Sequence, residues 1–281
     1  MQESIYQQWI APLKKYQKEP LQLHKLPIGS NAVYGYAIQD TAFLSQQFAT
    51  ENNAFYFNIA DFLEAVHLND QKRISNHKQH LRNAKRIITP ELGIITDEAQ
   101  KELSVYWLPL FTELKEIWTD STFKEKRLIV PLQLVFGKMM SHASVACFNF
   151  KPKQDTVDVI VLEQHAQKKG EINYEADEDY TDGIKLHAKA FSAMMNQLLK
   201  IGTVNTFVNE KPICRRHNVC GVVASEVSRR LLETDDPMAL VKSGIAITNE
   251  EVDKLHARNQ KLEAKHGYFP LMVIQKNGGR K

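Results

Sequence analysis

Cysteine is scarce in this chain: Cys147, Cys214 and Cys220 stand alone among 281 residues. Three thiols do not make a disulfide framework, which points to reduced thiols and a cytosolic working place. Long hydrophobic runs are missing too. None reaches the length of a membrane span, and the opening stretch MQESIYQQWIAPLKKYQ holds no uninterrupted apolar core of the secretory type. A surplus of one charge is nearly absent. The net charge of +3 is too small to argue for a nucleic-acid partner. There is no internal repeat and no extended low-complexity tract. What is present, 43% hydrophobic and 25% charged residues, is enough for a sizeable core in one or two domains.

Apolar periodicity divides the chain into three parts. Residues 1–120 read as a helical N-terminal region, with Trp9, Ile10 and Leu13, then Phe55, Ile59, Phe62, Leu63 and Val66, recurring at helical spacing. A loop around Pro27, Gly29, Ser30 and Asn31 separates these stripes. A further helix opens near Thr96 or Asp97 and carries Leu103, Trp107, Leu110, Phe111 and Leu114. Between them lies a basic run with Lys72, Arg73, Lys78, Arg82, Lys85 and Arg86. It is either a solvated helix face or a surface for phosphate or an acidic partner.

Residues 121–236 form an α/β core. LIVPLQLVF (128–136) is short, apolar and β-branched, and reads as a strand despite Pro131. ASVACFNF (143–150) and TVDVIVL (156–162) follow, joined by the turn 151–155 and therefore expected to be antiparallel. His142 enters this hairpin and Glu163 leaves it, so pairing returns both to one edge of the sheet. Residues 164–185 are polar and acidic and read as a surface insertion. Leu186–Leu199 reads as an amphipathic helix, residues 204–208 as a strand, and Cys220 as the opening of a helix with Val223, Val227 and Leu231 on one face. Residues 237–281 add a helix opened by a Thr248–Glu251 capping box, and then a strand over Tyr268–Ile274.

A thiol, an imidazole and a carboxylate in the order His142, Glu163, Cys220 have the chemistry of a catalytic triad. A helix N-terminus favours the Cys220 thiolate, the imidazole pairs with it and moves protons, and the carboxylate orients the imidazole. Gly221 permits close backbone approach, which suits an oxyanion site built of N–H groups. Taken singly, each of the three is more often a buried thiol, a structural histidine and a surface charge. Cys214, His217 and Cys220 also give C-x-x-H-x-x-C, but three ligands do not close a structural zinc site, and no metal is assigned. Cys214, beside Arg215 and Arg216, competes with Cys220 for reactivity. His165, His187, His217 and His256 carry no assigned role.

At these residues the chain resembles the clan of cysteine enzymes that includes the Ulp-type ubiquitin-like-protein proteases and the YopJ family of bacterial effector acetyltransferases. His142-Ala143-Ser144-Val145, the hairpin to Val161-Leu162-Glu163, and Cys220-Gly221 before an apolar helix follow that order. Glu in place of Asp, the lack of Trp after the histidine, and Tyr268-Phe269-Pro270 bring it nearer to the YopJ family. The resemblance spans residues 125–275. It implies an α+β fold, with a mixed, mainly antiparallel central sheet flanked by helices. It also implies an effector that acts in the host cytoplasm and acetylates Ser, Thr or Lys of a host protein from acetyl-CoA. Inositol hexakisphosphate would be the activator, with Lys254, Arg258, Lys261 and Lys265 as contributors. The alternatives are an isopeptidase acting on ubiquitin or a ubiquitin-like protein, and a degenerate protein-binding module. One position departs from the pattern. Where the clan usually places an oxyanion-site Gln, this chain has Cys214. Asn218 or backbone N–H groups then substitute, or activity is weakened or lost.

Overall fold

A computed structural model describes residues 38–94, 110–119, 124–136, 140–165, 188–189, 191–193, 195–216 and 219–267. The readings at residues 9–31, the helix start near residue 96, the insertion from 166 onward, His187, His217, Asn218 and the strand over 268–274 lie outside them.

The architecture is α+β, a mixed sheet with helices on both faces. In chain order the elements are α1 (Ile38–Glu51), β1 (Phe55–Tyr56), α2 (Ile59–His67), α3 (Gln71–Asn83), β2 (Arg86–Ile88), β3 (Glu91–Ile94), β4 (Lys126–Phe136), β5 (Met140–Lys151), β6 (Thr156–Leu162), β7 (Thr203–Val208), α4 (Cys220–Glu233), α5 (Pro237–Ser243) and α6 (Asn249–Lys265). Residues 110–118 are also helical, and Met195–Leu199 form a π-helical turn. The sheet runs β1-β2-β4-β5-β6-β7, with β3 also on β4. Its centre, β4-β5-β6, is antiparallel, and the outer pairings are parallel.

The reading of residues 1–120 as helical is corrected in one respect: β1, β2 and β3 belong to the sheet. They are two to four residues long, too short to impose a period of two on the sequence. β2 and β3 pair with β4 in one continuous register, Arg86 with Arg127 and Glu91 with Leu132. That register sets Pro90 opposite Pro131. Neither proline has an N–H to give, so the strand beside β4 is divided into β2 and β3 where the prolines meet.

The central strands are buried on both faces, which explains their near-continuous apolar sequences. Alternate residues serve opposite cores. Ala146, Phe148 and Phe150 of β5, with Leu128, Val130 and Leu132 of β4, pack under Phe62, Leu81, Phe111 and Phe191. Val145 and Cys147 of β5, with Ile160 and Leu162 of β6, pack under Leu44 and Phe48 of α1 and Val222, Val223, Val227 and Leu231 of α4. The neighbours Lys126 and Arg127 likewise serve opposite sides. Lys126 Nζ donates to Arg82 O and Ala84 O at the end of α3. Arg127 donates to Leu231 O, Thr234 O and Asp235 O at the end of α4. Each helix C-terminus thus has a cation on its exposed carbonyls.

The hairpin turn is closed by a 3₁₀ turn over Pro152–Gln154, with Asp155 left-handed at φ 47°. The Asp155 carboxylate accepts the Gly202 N–H at 3.0 Å, and a methyl at Gly202 would overlap that carboxylate. Gly202→Ala is therefore expected to lose this contact at a cost of about 1–2 kcal/mol. A thermal melt indistinguishable from the parent would show that the Asp155 side chain swings aside freely.

Half of the basic run is paired internally. Arg73 pairs with Asp61 and Glu64, Lys78 with Glu113 and Glu116, and Arg86 with Asp235. The Arg73 and Lys78 pairs join α2, α3 and the 110–118 helix, and the Arg86 pair ties β2 to the residues after α4.

Candidate active site

β6 leaves the ladder at Leu162, paired with Val145, while β5 continues back to Met140. His142 is therefore inside β5, not at its entry as read from the sequence, but on a stretch that β6 no longer covers. Extending the register would set Ser144 opposite Glu163 and His142 one diagonal step away on the same face. The side chains meet as that geometry requires: His142 Nε2 lies 2.6 Å from Glu163 Oε1. Both are buried, at 6% and 1% exposure. The His165 backbone N–H donates to the same Oε1 at 3.0 Å, and the His165 ring stacks loosely on His142 at 6.4 Å. Ser144 Oγ donates to Leu162 O at 2.7 Å and closes the strand end.

Cys220 comes from the other direction, as the first residue of α4. Asn58, Asp70, Asp236 and Thr248 cap α2, α3, α5 and α6 with side-chain oxygens, but Val219 offers α4 none. The first N–H groups of α4 are left for another acceptor. The Cys220 thiol faces the His142 imidazole and the Ala143 backbone, the groups that favour its ionisation. With Nε2 on Glu163, Nδ1 is the ring nitrogen placed to meet the sulfur. Burial opposes ionisation of the thiol. The His142 charge and hydrogen bond, with the Ala143 contact, outweigh it and hold the thiol below its ordinary value. Burial likewise pulls His142 down, but the charges of Glu163 and Cys220 and their hydrogen bonds raise it to about 10. These directions favour the thiolate form of Cys220 and the imidazolium form of His142.

The other thiols differ. Burial pushes Cys147 up to about 12. In the sequence Cys214 competes with Cys220 through the charges of its arginine neighbours. Instead its burial outweighs the Arg216 contacts and leaves it above the ordinary value. It is 2% exposed, in the apolar cluster with Ile213, Val219 and Val222. Gly221 is buried in the first turn of α4. Limited alkylation with iodoacetamide at neutral pH should therefore label Cys220 at least about tenfold faster than Cys214 or Cys147. Equal labelling of Cys214 would contradict the burial and charge pattern.

The segment leading to Cys220 is pinned from both sides. Gln164 O accepts the N–H groups of Ile213 and Cys214, Gln164 Nε2 donates to Arg216 O, and Ile247 N donates to Ile213 O. Arg216 reaches α6, donating to Asp253 at 2.7 Å. Asn209, at the end of β7, grips the main chain of Glu163. Sequence reading passes over Gln164 and Asn209 and gives His165 no role. The signal that marks them is position, since each directly follows or flanks a strand end that carries the acid.

The four cations on α6 divide. Lys254 is exposed and pairs with Glu250. Arg258 pairs with Glu226 at 3.0 Å and lies over the Phe48 ring. Arg258, Lys261 and Lys265 line a cleft of about 350 Å³ with Arg229, Leu262, Phe48 and Glu51. Among the described residues no cluster of side chains forms a metal site.

No protein-family model matches the chain. The DNA mismatch repair protein MutS of Bacillus subtilis is 31% identical over 143 residues, 50% of this chain. The match spans 13% of the length of that curated relative. Among solved structures, the Legionella pneumophila effector protein RavZ superposes with a TM-score of 0.35 at 13% identity, covering 66% of this chain and 54% of that one. The Rickettsia bellii effector protein RickCE gives a TM-score of 0.39 at 14% identity, covering 82% of this chain and 94% of that one. At these values the likenesses carry no conclusion about activity.

Proposed function

We propose that the chain is a cysteine enzyme that forms an acyl-enzyme on Cys220. The observation that carries this reading is the convergence of half-buried Cys220 on the buried His142 and Glu163, with the His142–Glu163 contact at 2.6 Å. The thiolate attacks a carbonyl carbon, and the oxyanion that forms faces the uncapped N–H groups opening α4. As the intermediate collapses, the bond to the leaving group breaks and the His142 imidazolium supplies the leaving group's proton. A thioester remains on Cys220. His142, now neutral, takes a proton from the acceptor, which attacks the thioester and restores the thiolate. Glu163 holds the ring in the orientation that serves both steps.

The acceptor distinguishes two forms of this chemistry. In the first, the hydroxyl or amine of a Ser, Thr or Lys on a partner protein takes an acetyl group supplied by acetyl-CoA. In the second, the acyl group is the C-terminus of ubiquitin or a ubiquitin-like protein and water is the acceptor. We favour the first, in line with the YopJ-like features of the sequence. Arg258, Lys261 and Lys265, with Arg229, form a donor set that fits a polyanionic activator such as inositol hexakisphosphate, whereas Lys254 is not part of that cleft.

The test uses the intact chain with labelled acetyl-CoA and, separately, with a ubiquitin-based suicide probe. Label on Cys220 from acetyl-CoA, absent in Cys220→Ala, supports the transferase. An adduct with the ubiquitin probe alone replaces it by the isopeptidase. If Cys220 takes neither label, the chain is a binding module.

A further inference from the structure

We infer that Asn209 is a positioning residue for the acid of this site, its carboxamide fixing the main chain of Glu163 and so the place of the carboxylate against His142. The inference rests on the reading of Cys220, His142 and Glu163 proposed above. β6 and β7 are paired in parallel up to Val161 and Val208 and then part. At the point of parting, the Asn209 side chain takes over from the backbone ladder. The Glu163 N–H donates to Asn209 Oδ1 at 2.7 Å, and Asn209 Nδ2 donates to Glu163 O at 2.7 Å. The same Nδ2 donates to Lys211 O at 2.9 Å. One carboxamide thus meets three main-chain groups, two of them on the residue whose side chain contacts His142.

Few residue types could do this. The task needs an acceptor and two amide hydrogens on a short arm. Aspartate lacks the donors, serine has a single hydroxyl, and glutamine is a methylene too long. The clamp matters because nothing regular holds Glu163 otherwise, since it is the first residue beyond β6. Its carboxylate is held by the His142 ring and the His165 N–H. Those bonds fix the carboxylate relative to its immediate neighbours. Among the described residues Asn209 is the one that ties Glu163 to the end of β7, the sheet strand beside it. Without the clamp the acid can follow the chain leaving β6, and the close Glu163–His142 contact loosens.

The test is an NMR titration of the His142 ring in the full chain labelled with ¹⁵N, its signals identified by their loss in His142→Ala. In the unmodified chain the ring should keep its second proton well above the ordinary histidine range. In Asn209→Ala, shown folded by its melting transition, the midpoint is expected to fall by about one pH unit or more, because the acid no longer supports the charge from close range. Asn209→Ser, which leaves a hydroxyl for one of the main-chain groups, provides the same measurement if the alanine variant does not fold. A folded variant whose His142 midpoint equals that of the unmodified chain overturns the clamp and leaves the site standing. An ordinary midpoint in the unmodified chain overturns the proposed site itself, and the clamp with it.

Discussion

Cys220→Ala is expected to abolish covalent acyl chemistry, lowering turnover by about 10³-fold or more, while leaving the melting temperature nearly unchanged. The first part follows from the thiol's lack of a substitute. Cys147 is fully buried within β5, and Cys214 is buried and disfavoured as a thiolate. The second part follows from its position. Cys220 is half-buried at the start of α4, and the helix is anchored by Val222, Val223, Val227 and Leu231 and by Arg127 at its far end. Retained turnover in Cys220→Ala would move the chemistry elsewhere. The same pair sets a pH dependence. His142 titrates higher in the folded chain, at about 10, than its ordinary 6.5. Its protonated form therefore contributes stability that is complete below about 6.5 and is lost as pH rises toward 10. The imidazolium itself is lost only as pH passes about 10, which removes the proton for the leaving group, so activity should decline there.

Glu226→Gln should produce the largest loss of stability. Glu226 lies on α4 at 1% exposure and accepts hydrogen bonds from Arg229, Arg230 and Arg258. It binds the helix that carries Cys220 to α6, which also holds Arg216 of the segment before Cys220. Neutralising the carboxylate leaves three guanidinium groups around an uncharged amide, and breaking a buried ion cluster on one side costs about 3–5 kcal/mol. For a domain of this size that is a fall in melting temperature of roughly 10 °C. Burial by itself would raise the Glu226 carboxyl, but the hydrogen bonds from Arg229 and Arg230 and the nearby charges lower it from 4.5 to about 2. The folded value is the lower one, so this contribution is present above pH 4.5 and is lost as pH falls toward 2. The shift corresponds to roughly 3 kcal/mol. Acid titration of stability should therefore be shallower in Glu226→Gln than in the parent between pH 4.5 and 2. A variant that melts with the parent and follows the same acid curve would show that the arginines find other partners.

Local features of the chain were legible where a few consecutive residues settle the matter. The turn Lys151–Asp155 between two apolar runs specifies a hairpin, and a hairpin must return His142 toward Glu163. Thr248 and Glu251 specify a helix start, and both halves of the capping box are formed. The apolar runs of β4, β5 and β6 have the composition of strands covered on both faces. The short strands β1 to β3 were not legible, because two to four residues carry no period and their pairing partner, β4, lies far along the chain. The basic run reads first as a solvated helix face and second as a ligand surface, and only the tertiary structure sets Glu64, Glu113 and Asp235 beside it.

What the sequence determined by itself is the inventory of the site and one of its edges: a thiol ahead of a helix, an imidazole and a carboxylate at adjoining strand ends, and a glycine after the thiol. What only the tertiary structure decided is that α4 docks where β6 stops short, so that Cys220 meets His142 and Ala143. The tertiary structure also decided that Cys214 is sealed among apolar side chains despite two neighbouring arginines, and that Asn209 closes on the Glu163 main chain. The physical reason is range. Turns, caps and periodicity arise from hydrogen bonds and sterics over a few residues, and the sequence displays them directly. Burial and long-range pairing depend on which surfaces pack together, and in this chain that packing decides which thiol is favoured as a thiolate and which are disfavoured.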